Sequence, residues 1–253
     1  MSIRRQLTFH GILLYRKYYG EHGMLIKFFT AECGKKMFLV RGATRSRFKM
    51  KADILPFTYG VYTGSIAYHG LSYLKSAEST HHYLNIINNI NLNAYATYIM
   101  GLIDAAFPDS HPAVKWFDKL YYGLKLINDG LDPEIITNIF EIQLLSVFGV
   151  APDLKGCVIC GRHDLPMDYS DKYGGLLCIH HWDHDPHRSH LDSKTVYYLR
   201  VLSKVPLKKI GRINVSKRTK QQLRRQLDDI YDNSVGLRLK SKRFLDQMQR
   251  FKL

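Results

Sequence analysis

Cys157-Val158-Ile159-Cys160 and Cys178-Ile179-His180-His181 are the two short segments that decide how the middle of this chain folds. Each segment places two soft metal ligands on one tight turn. The spacing predicts a tetrahedral site for one zinc ion, and a closed shell of four protein ligands is typical of a structural ion. The predicted ligands are Cys157, Cys160, Cys178 and His181. Two alternatives remain: His180 as the fourth ligand, and cysteines that pack in a core without metal.

The segment between the two ligand pairs contains a predicted β-hairpin, over residues 167–169 and 174–177, of the kind that fills a zinc knuckle. From position 157 to position 185 the chain has two cations and five aspartates. An acidic surface does not suit contact with a polyanion. The knuckle is therefore interpreted as a structural clip between the helices that precede and follow it.

Residues 8–77 show the pattern of short β-strands. Apolar, β-branched and aromatic residues form five runs, separated by glycine, proline or polar residues. The runs cover 9–16, 24–30, 36–41, 57–63 and 68–75. Five such strands without a helix predict a small closed barrel of the OB type, and an SH3-like barrel fits the pattern almost as well.

From residue 81 onward the hydrophobic period becomes helical. Helices are predicted over 95–107, 112–128 and 133–148, and the last should be the buried centre of a bundle because apolar residues wrap most of it. Further helices are expected over 193–202 and 216–232, with Ser193 and Ser216 as N-caps, and a short helix near the end. The predicted fold class is α+β. An OB-type barrel occupies 1–79 and a helical domain 80–253, with the zinc knuckle at about 155–185 and a basic helical part at 190–253.

The net charge of +15 is divided unevenly along the chain. Lysine and arginine outnumber aspartate and glutamate by 13 to 3 in residues 1–77 and by 18 to 5 in residues 188–253, whereas residues 78–187 have 6 cations and 14 acids. Basic ends around an acidic middle favour binding of a polyanion. Nucleic acid is the first candidate, since no basic amphipathic helix supports binding to an anionic membrane.

A basic run follows the third predicted strand. Positions 35–51 contain seven cations and no acid, and a loop of this kind suits a phosphate backbone. Nearby aromatic residues are candidates for base stacking, although a place in the barrel core is favoured for each: Phe38, Phe48 and Tyr59. The predicted DNA-binding residues are Lys35, Arg41, Arg45, Arg47, Lys49 and Lys51.

A second group of cations lies near the start of the helix predicted over 216–232. Positive charge at a helix N-terminus opposes the macrodipole, so an anionic partner explains the group better than helix stability does. A solvated helix face is the alternative. The secondary DNA-binding candidates are Lys217, Arg218, Arg224 and Arg225.

The sequence predicts neither secretion nor insertion into a membrane. The apolar run after the basic N-terminus is interrupted by His10, Arg16 and Lys17, so no signal peptide is predicted. No run of about 18 apolar residues is present. Clustered cysteines suit a metal better than disulfides, which fits a reducing compartment. We expect a folded cytoplasmic protein.

Short sequence landmarks occur in order over nearly the whole chain. The first third contains Gly11-Ile12-Leu13-Leu14, Glu21, Phe28-Phe29-Thr30, Gly34-Lys35, Val40-Arg41-Gly42-Ala43 and Leu55-Pro56-Phe57. The remainder contains Phe140-Glu141, Leu144-Leu145, Phe148-Gly149, Pro152, Gly174-Gly175 and Leu239-Lys240-Ser241-Lys242. Together these landmarks resemble the RecO family of bacterial recombination mediators. Two positions depart from the family pattern: Gly23 replaces a usual aspartate, and His181 replaces a frequent cysteine.

The resemblance implies an OB barrel, a helical domain and an embedded zinc knuckle. It also implies a non-enzymatic protein of DNA repair that binds single- and double-stranded DNA and anneals complementary strands. Such a protein helps to load RecA onto strands coated by single-strand-binding protein. The implied partners are DNA, RecR and single-strand-binding protein, with RecF in some settings and RecA indirectly. The implied location is the bacterial cytoplasm, at the nucleoid.

Some residues are compatible with two other functions. The histidines and aspartates that follow the second ligand pair are compatible with a metal-dependent nuclease. No paired catalytic acids or glycine-rich phosphate loop supports that hypothesis, so an enzyme is not expected. A basic RNA-associated zinc-knuckle protein is the other alternative.

Overall fold

A closed five-stranded barrel forms the first part of the chain in the computed structural model, which describes residues 4–250. Its strands are β1 (Arg4–Tyr19), β2 (Gly23–Thr30), β3 (Gly34–Val40), β4 (Thr58–Ala67) and β5 (Ser72–His82). Because β1 pairs with both β2 and β4, and β3 pairs in parallel with β5, the ring closes in the order β1-β2-β3-β5-β4. The predicted OB-type barrel is confirmed.

Aromatic side chains fill the barrel interior. Phe9, Phe28, Phe38 and Tyr62 are fully buried, and their ring centroids lie 4.7–6.0 Å apart in the contacting pairs. Contacts between rings add about 0.5–1.5 kcal/mol per pair to the stabilisation from burial. Gly11 leaves room for them, since a Cβ there would lie 2.9 Å from Cδ1 of Phe28.

The strand boundaries differ from the predicted ones most in β1 and β5, and β5 covers Ser72–His82 where the pattern predicts 68–75. The sequence pattern predicts a start at residue 9, whereas β1 begins at Arg4. Residues 4–8 pair with residues 63–67 of β4 but lie largely exposed, so they lack the apolar alternation that marks a half-buried strand. Their backbone is ordered by hydrogen bonding to β4, not by burial.

Three helices follow the barrel: α1 (Leu84–Asn88), α2 (Ile90–Ala106) and α3 (Val114–Asn128). Contacts divide the chain into two compact units. The first extends to Gly130 and includes the chain from Arg243 onward, and the second is Leu131–Lys242. In the first unit, Phe29 on β2 stacks on Phe107, with 5.8 Å between ring centroids. The domain limits at 79 and 80 stay predictions.

The second unit is built around α4 (Pro133–Leu144). Its other helices are α5 (Ser193–Leu202) and α6 (Lys217–Ile230), and a small sheet comprises β6 (Asp153–Cys157), β7 (Met167–Ser170) and β8 (Gly175–Cys178) in the order β6-β8-β7. The last helix, α7 (Lys240–Arg250), begins in this unit and continues into the first. Nearly every residue of α4 is buried, as predicted for the bundle centre.

The helix caps agree with the predictions in one case and not in another. Ser216 caps α6, where its side chain accepts a hydrogen bond from the Thr219 N–H. Ser193 was the wrong choice for α5, because Asp192 is the N-cap and accepts from the Thr195 N–H. Both residue types cap well, so adjacent candidates cannot be separated by type alone. Within residues 4–250 no helix has the length and apolar character needed to cross a bilayer.

A buried ion-pair network joins the barrel to α2. The Asp104 carboxylate lies 2.7 Å from the Lys27 ammonium and 3.0 Å from the Lys35 ammonium. Asp109 is a second, weaker partner, at 3.2 Å from Lys27 and 3.5 Å from Lys35. Burial by itself would raise the pKa of Asp104, but hydrogen bonds from Lys27 and Lys35 outweigh burial and lower it.

Asp104→Asn should destabilise the first unit, because two largely buried ammonium groups would keep only their weaker carboxylate partner, Asp109. We expect the free energy of unfolding at neutral pH to fall by about 2 kcal/mol, less than for a fully buried pair because Asp104 is partly exposed. A lowered carboxyl pKa stabilises the fold above the ordinary pKa, and this contribution is lost as pH falls through the lowered value. Urea denaturation should therefore show a difference at neutral pH that disappears in acid.

Asp118→Asn is the matched control, since Asp118 is an exposed acid on α3 in the same unit. It should leave stability unchanged at both pH values. A destabilisation by Asp104→Asn that persists in acid would mean that packing, not charge, is what the substitution disturbs.

Candidate metal centre and nucleic-acid interface

The four predicted metal ligands lie together beside the small sheet. Cys157 ends β6, Cys178 ends β8, and His181 lies in the 3-10 helix Ile179–His184 that follows. Cys160 is on the turn after β6. One ligand atom from each of the four residues lies within 4.8 Å of all the others. The histidine at x2 spacing, rather than His180, completes this group.

The distances within the cluster fit a tetrahedral metal. Sulfur ligands at about 2.3 Å and a nitrogen ligand at about 2.0–2.1 Å from zinc give edges of about 3.8 Å between sulfurs and about 3.6 Å from sulfur to nitrogen. Sγ of Cys160 lies 3.8 Å from Sγ of Cys178. Nδ1 of His181 lies 3.4 Å from the Cys157 sulfur and 3.2 Å from the Cys178 sulfur. Three soft sulfurs and one imidazole form a closed donor set that can hold a metal ion.

Backbone N–H groups around the cluster favour the thiolate form of Cys157. Burial by itself would raise the pKa of Cys157, but hydrogen bonds from backbone N–H groups of Cys178, Cys160 and Ile159 lower it to about 6. Burial raises the pKa of Cys178. A metal ligand must be a thiolate, so the turn after β6 favours the form of Cys157 that binds metal.

Hydrogen bonds connect the metal module to α5 in the second unit. The buried Asp168 carboxylate on β7 accepts from the backbone N–H groups of His190 at 3.0 Å and Leu191 at 2.9 Å, just before α5 begins. Arg200 on α5 donates to the Lys155 carbonyl of β6 at 2.8 Å. These contacts connect the module to α5, the helix that follows it.

The predicted basic loop lies between β3 and β4. Phe48 and Met50 pack against the barrel core, and Ile54 is fully buried. The Arg16 guanidinium holds the end of the loop by donating to the Ile54 carbonyl at 3.0 Å. Anchored in this way, the loop exposes five predicted cations to solvent: Arg41, Arg45, Arg47, Lys49 and Lys51.

Lys35 does not belong to this exposed surface, contrary to the prediction. Only 4% of the residue is accessible, and its ammonium is held by Asp104. Lys35, the first cation of the basic run, therefore forms a buried ion pair and is not available to contact DNA.

The three aromatic candidates for base stacking are also occupied. Phe38 is in the core and Phe48 covers it, as the core alternative predicted. Tyr59 stacks on His81 and Tyr83, with ring centroids 5.3 and 4.8 Å away.

A cluster that the sequence analysis missed lies on the outside of the barrel. The Arg4 guanidinium carbon lies 4.4 Å from the Tyr73 ring centroid, and that of Arg41 lies 5.1 Å from it. Hydrogen bonds from Arg4, and then from Arg41, lower the pKa of Tyr73. Arg41 was predicted as a site residue, but nothing in the sequence connects it to Arg4 and Tyr73, because the register of three strands brings them together.

The secondary candidates on α6 differ in their surroundings. Lys217 and Arg225 are exposed, and Arg218 is largely exposed with its Nε 3.6 Å from Asp192. Arg224 lies 3.7 Å from Asp228, one turn further along the helix. Intrahelical pairing is therefore a second explanation for Arg224.

Two family models match the chain. "Recombination protein O N terminal" covers residues 1–83, which include the whole barrel. "Recombination protein O C terminal" covers residues 87–243, which include the metal cluster.

Curated relatives match over nearly the full length. A protein of Levilactobacillus brevis named "DNA repair protein RecO" is 55% identical over 246 residues, which are 97% of this chain and 95% of the relative. Proteins with the same name match from Lactiplantibacillus plantarum, at 55% over 95% of this chain and 93% of the relative, and from Pediococcus pentosaceus, at 45% over both full lengths.

Proposed function

This chain belongs to the RecO family of DNA repair proteins, and from that premise we propose that it is a recombination mediator. In this role it binds single- and double-stranded DNA, anneals complementary strands and promotes RecA loading onto DNA coated by single-strand-binding protein. The observation that carries the proposal is the anchored loop of exposed cations on a closed OB-type barrel. Barrels of this type bind oligonucleotides on their outer face and loops.

The proposed DNA contacts are electrostatic and independent of base sequence. Phosphate contacts from exposed lysine and arginine supply most of the affinity in such binding. We assign the principal contacts to Arg41, Arg45, Arg47, Lys49 and Lys51. Lys217, Arg218, Arg224 and Arg225 on α6 are proposed as a secondary surface.

The proposed protein partners are RecR and single-strand-binding protein, with RecF in some settings and RecA acting indirectly. We propose a cytoplasmic location at the nucleoid, where these partners and DNA are present. The proposed role needs no covalent chemistry by the chain itself.

We assign one structural zinc ion to Cys157, Cys160, Cys178 and His181. The donor set and its spacing support zinc, and the acidic surface of the module speaks against direct DNA contact. When bound, the ion cross-links two turns of a small module. Cys157 at the end of β6 and Cys178 at the end of β8 both belong to the cluster, so a bound ion would hold these two strand ends together.

Cys157→Ala should remove one of four ligands and release the zinc ion. Because metal binding contributes to folding, we expect the midpoint of thermal unfolding to fall by roughly 10 °C, as for a loss of several kcal/mol. Elemental analysis should find one zinc per wild-type chain and little in the variant. Cys33→Ala is the control, because Cys33 lies outside the cluster. A wild-type protein that contains no metal, with a melting temperature unaffected by chelator, would contradict the assignment.

The triple variant Arg45→Ala, Arg47→Ala, Lys49→Ala should bind single-stranded DNA more weakly. Three lost phosphate contacts should reduce the slope of log K against log salt concentration by about 2. Titrations of a labelled oligonucleotide at several salt concentrations measure both quantities. The control variant Lys115→Ala, Lys155→Ala, Lys172→Ala removes the same charge from exposed positions in the acidic middle of the chain. Equal weakening by both variants would mean that net charge, not the loop, determines binding.

The mediator function itself is tested by annealing. Complementary strands coated with single-strand-binding protein should anneal much faster with the wild-type protein than without it. The triple variant of Arg45, Arg47 and Lys49, called the basic-loop variant, should lose most of this acceleration. No acceleration by the wild-type protein would refute the mediator proposal. A competition between single-stranded DNA and structured RNA separates it from an RNA-associated role.

A further inference from the structure

A cavity of about 490 Å³ opens on the barrel surface beside the turn between β4 and β5. Its lining comes from β3, from the turn, and from residues 109–111 after α2. The volume lies within the range of small-molecule sites. The lining residues that matter for the argument are Lys36, Met37, Tyr68, His69 and His111.

The cavity walls are held in place by the backbone. Gly34 allows residues 109–111 to approach β3, since a Cβ at this position would lie 2.2 Å from the His111 carbonyl oxygen. The Ser110 N–H donates to the Lys35 carbonyl at 2.9 Å. On the other side, the Lys36 ammonium fixes the β4–β5 turn by donating to the carbonyls of Ala67 at 2.8 Å and Tyr68 at 3.3 Å. The cavity is therefore largely preformed.

An exposed aromatic ring stands at the edge of this cavity. Tyr68 is 77% accessible, and its ring lies nearly perpendicular to that of His69, with centroids 4.6 Å apart. An aromatic side chain so exposed gains little from folding. A flat, apolar ligand such as a nucleobase would find a stacking surface there, worth about 1–3 kcal/mol per base.

The outer face of β3 connects the cavity to the arginine cluster. Met37 and Leu39 alternate with the core residue Phe38, so both lie on the outer face, and Leu39 is in register with Tyr73 on β5. Arg4 and Arg41 lie over the Tyr73 ring. A strip of surface thus runs from an open cavity with an aromatic edge to two guanidinium groups, whose planar N–H donors suit phosphate.

We propose that this strip, defined by Tyr68, Tyr73, Arg4, Arg41 and the cavity, is a base-binding site for single-stranded DNA. One unpaired nucleobase enters the cavity and stacks on Tyr68, while the neighbouring phosphates contact Arg4 and Arg41. The site rests on the proposed DNA-binding function and names its preferred substrate. Bases in a duplex are stacked and paired, so they cannot enter the cavity, and the strip selects single strands over double strands.

The test compares two labelled strands of equal length and charge: oligo-dT, and the same backbone with abasic residues. Wild-type protein should bind oligo-dT more tightly than the abasic strand. The double variant Tyr68→Ala, Tyr73→Ala should lose about tenfold in affinity for oligo-dT. It should lose less for the abasic strand, because that strand makes only the phosphate contacts of Arg4 and Arg41, so the difference between the strands should shrink. Tyr68→Ala alone, at an exposed position, should show part of the effect without a change in thermal stability.

Tyr197→Ala is the matched control, since Tyr197 is 60% accessible on α5 in the second unit. It should leave both affinities unchanged. The basic-loop variant should bind oligo-dT and the abasic strand more weakly than wild-type protein, by similar factors. Unchanged oligo-dT binding by the double variant, with weakened binding by the basic-loop variant, would overturn the base-binding site and leave the proposed function standing. Absence of binding to either strand by wild-type protein would refute the DNA-binding function as well.

Discussion

Closure of the barrel by β1 is the constraint on which the first part of the molecule depends. β1 must pair with β2 along one edge and with β4 along the other. Gly11 leaves room for the aromatic core beneath the strand, and the register with β2 shifts between Leu13 and Tyr15, as at a β-bulge. Aromatic rings fill the barrel interior. The charged side chains of the strands and loops therefore lie on the outer surface of the barrel.

Closure therefore divides the cations of the first unit into two groups. Lys27 and Lys35 point from the barrel toward α2, where carboxylates neutralise them, and Lys36 donates to backbone carbonyls. The cations of the β3–β4 loop stay in solvent, since the loop is anchored by its apolar residues and not by ion pairs. The loop therefore presents a high positive charge to solvent without burying it. The net charge of the chain by itself does not show which cations are neutralised in the fold and which are exposed.

Much of the fold was predictable because its signals are local. Strand alternation, helix-ending glycines and the CxxC spacing each depend on a few neighbouring residues, and the five strands and the metal cluster appear where these patterns place them. Some errors are local, such as the ends of β1 and β5 and the N-cap of α5. The errors at the candidate DNA-binding surface concern partners distant in sequence. Asp104 buries the Lys35 ammonium from 69 residues away, and Tyr73 meets Arg4 only because both strands are in register within a closed ring. Neither contact leaves a periodic trace in the sequence.

The candidate metal centre lies in a small module with a short core of its own. β6, β7 and β8 are four or five residues long, and the large apolar side chains that they bury are Leu154, Met167, Tyr169, Leu176 and Leu177. Four potential ligands lie within 4.8 Å of one another at the ends of these strands, and the Asp168 carboxylate connects the module to the start of α5 by accepting from the Leu191 N–H. The helix α6 has five cations, whereas residues 157–185 have two cations and five aspartates. A metal ion held by the four residues would therefore order an acidic module, and the proposed DNA contacts belong to other surfaces.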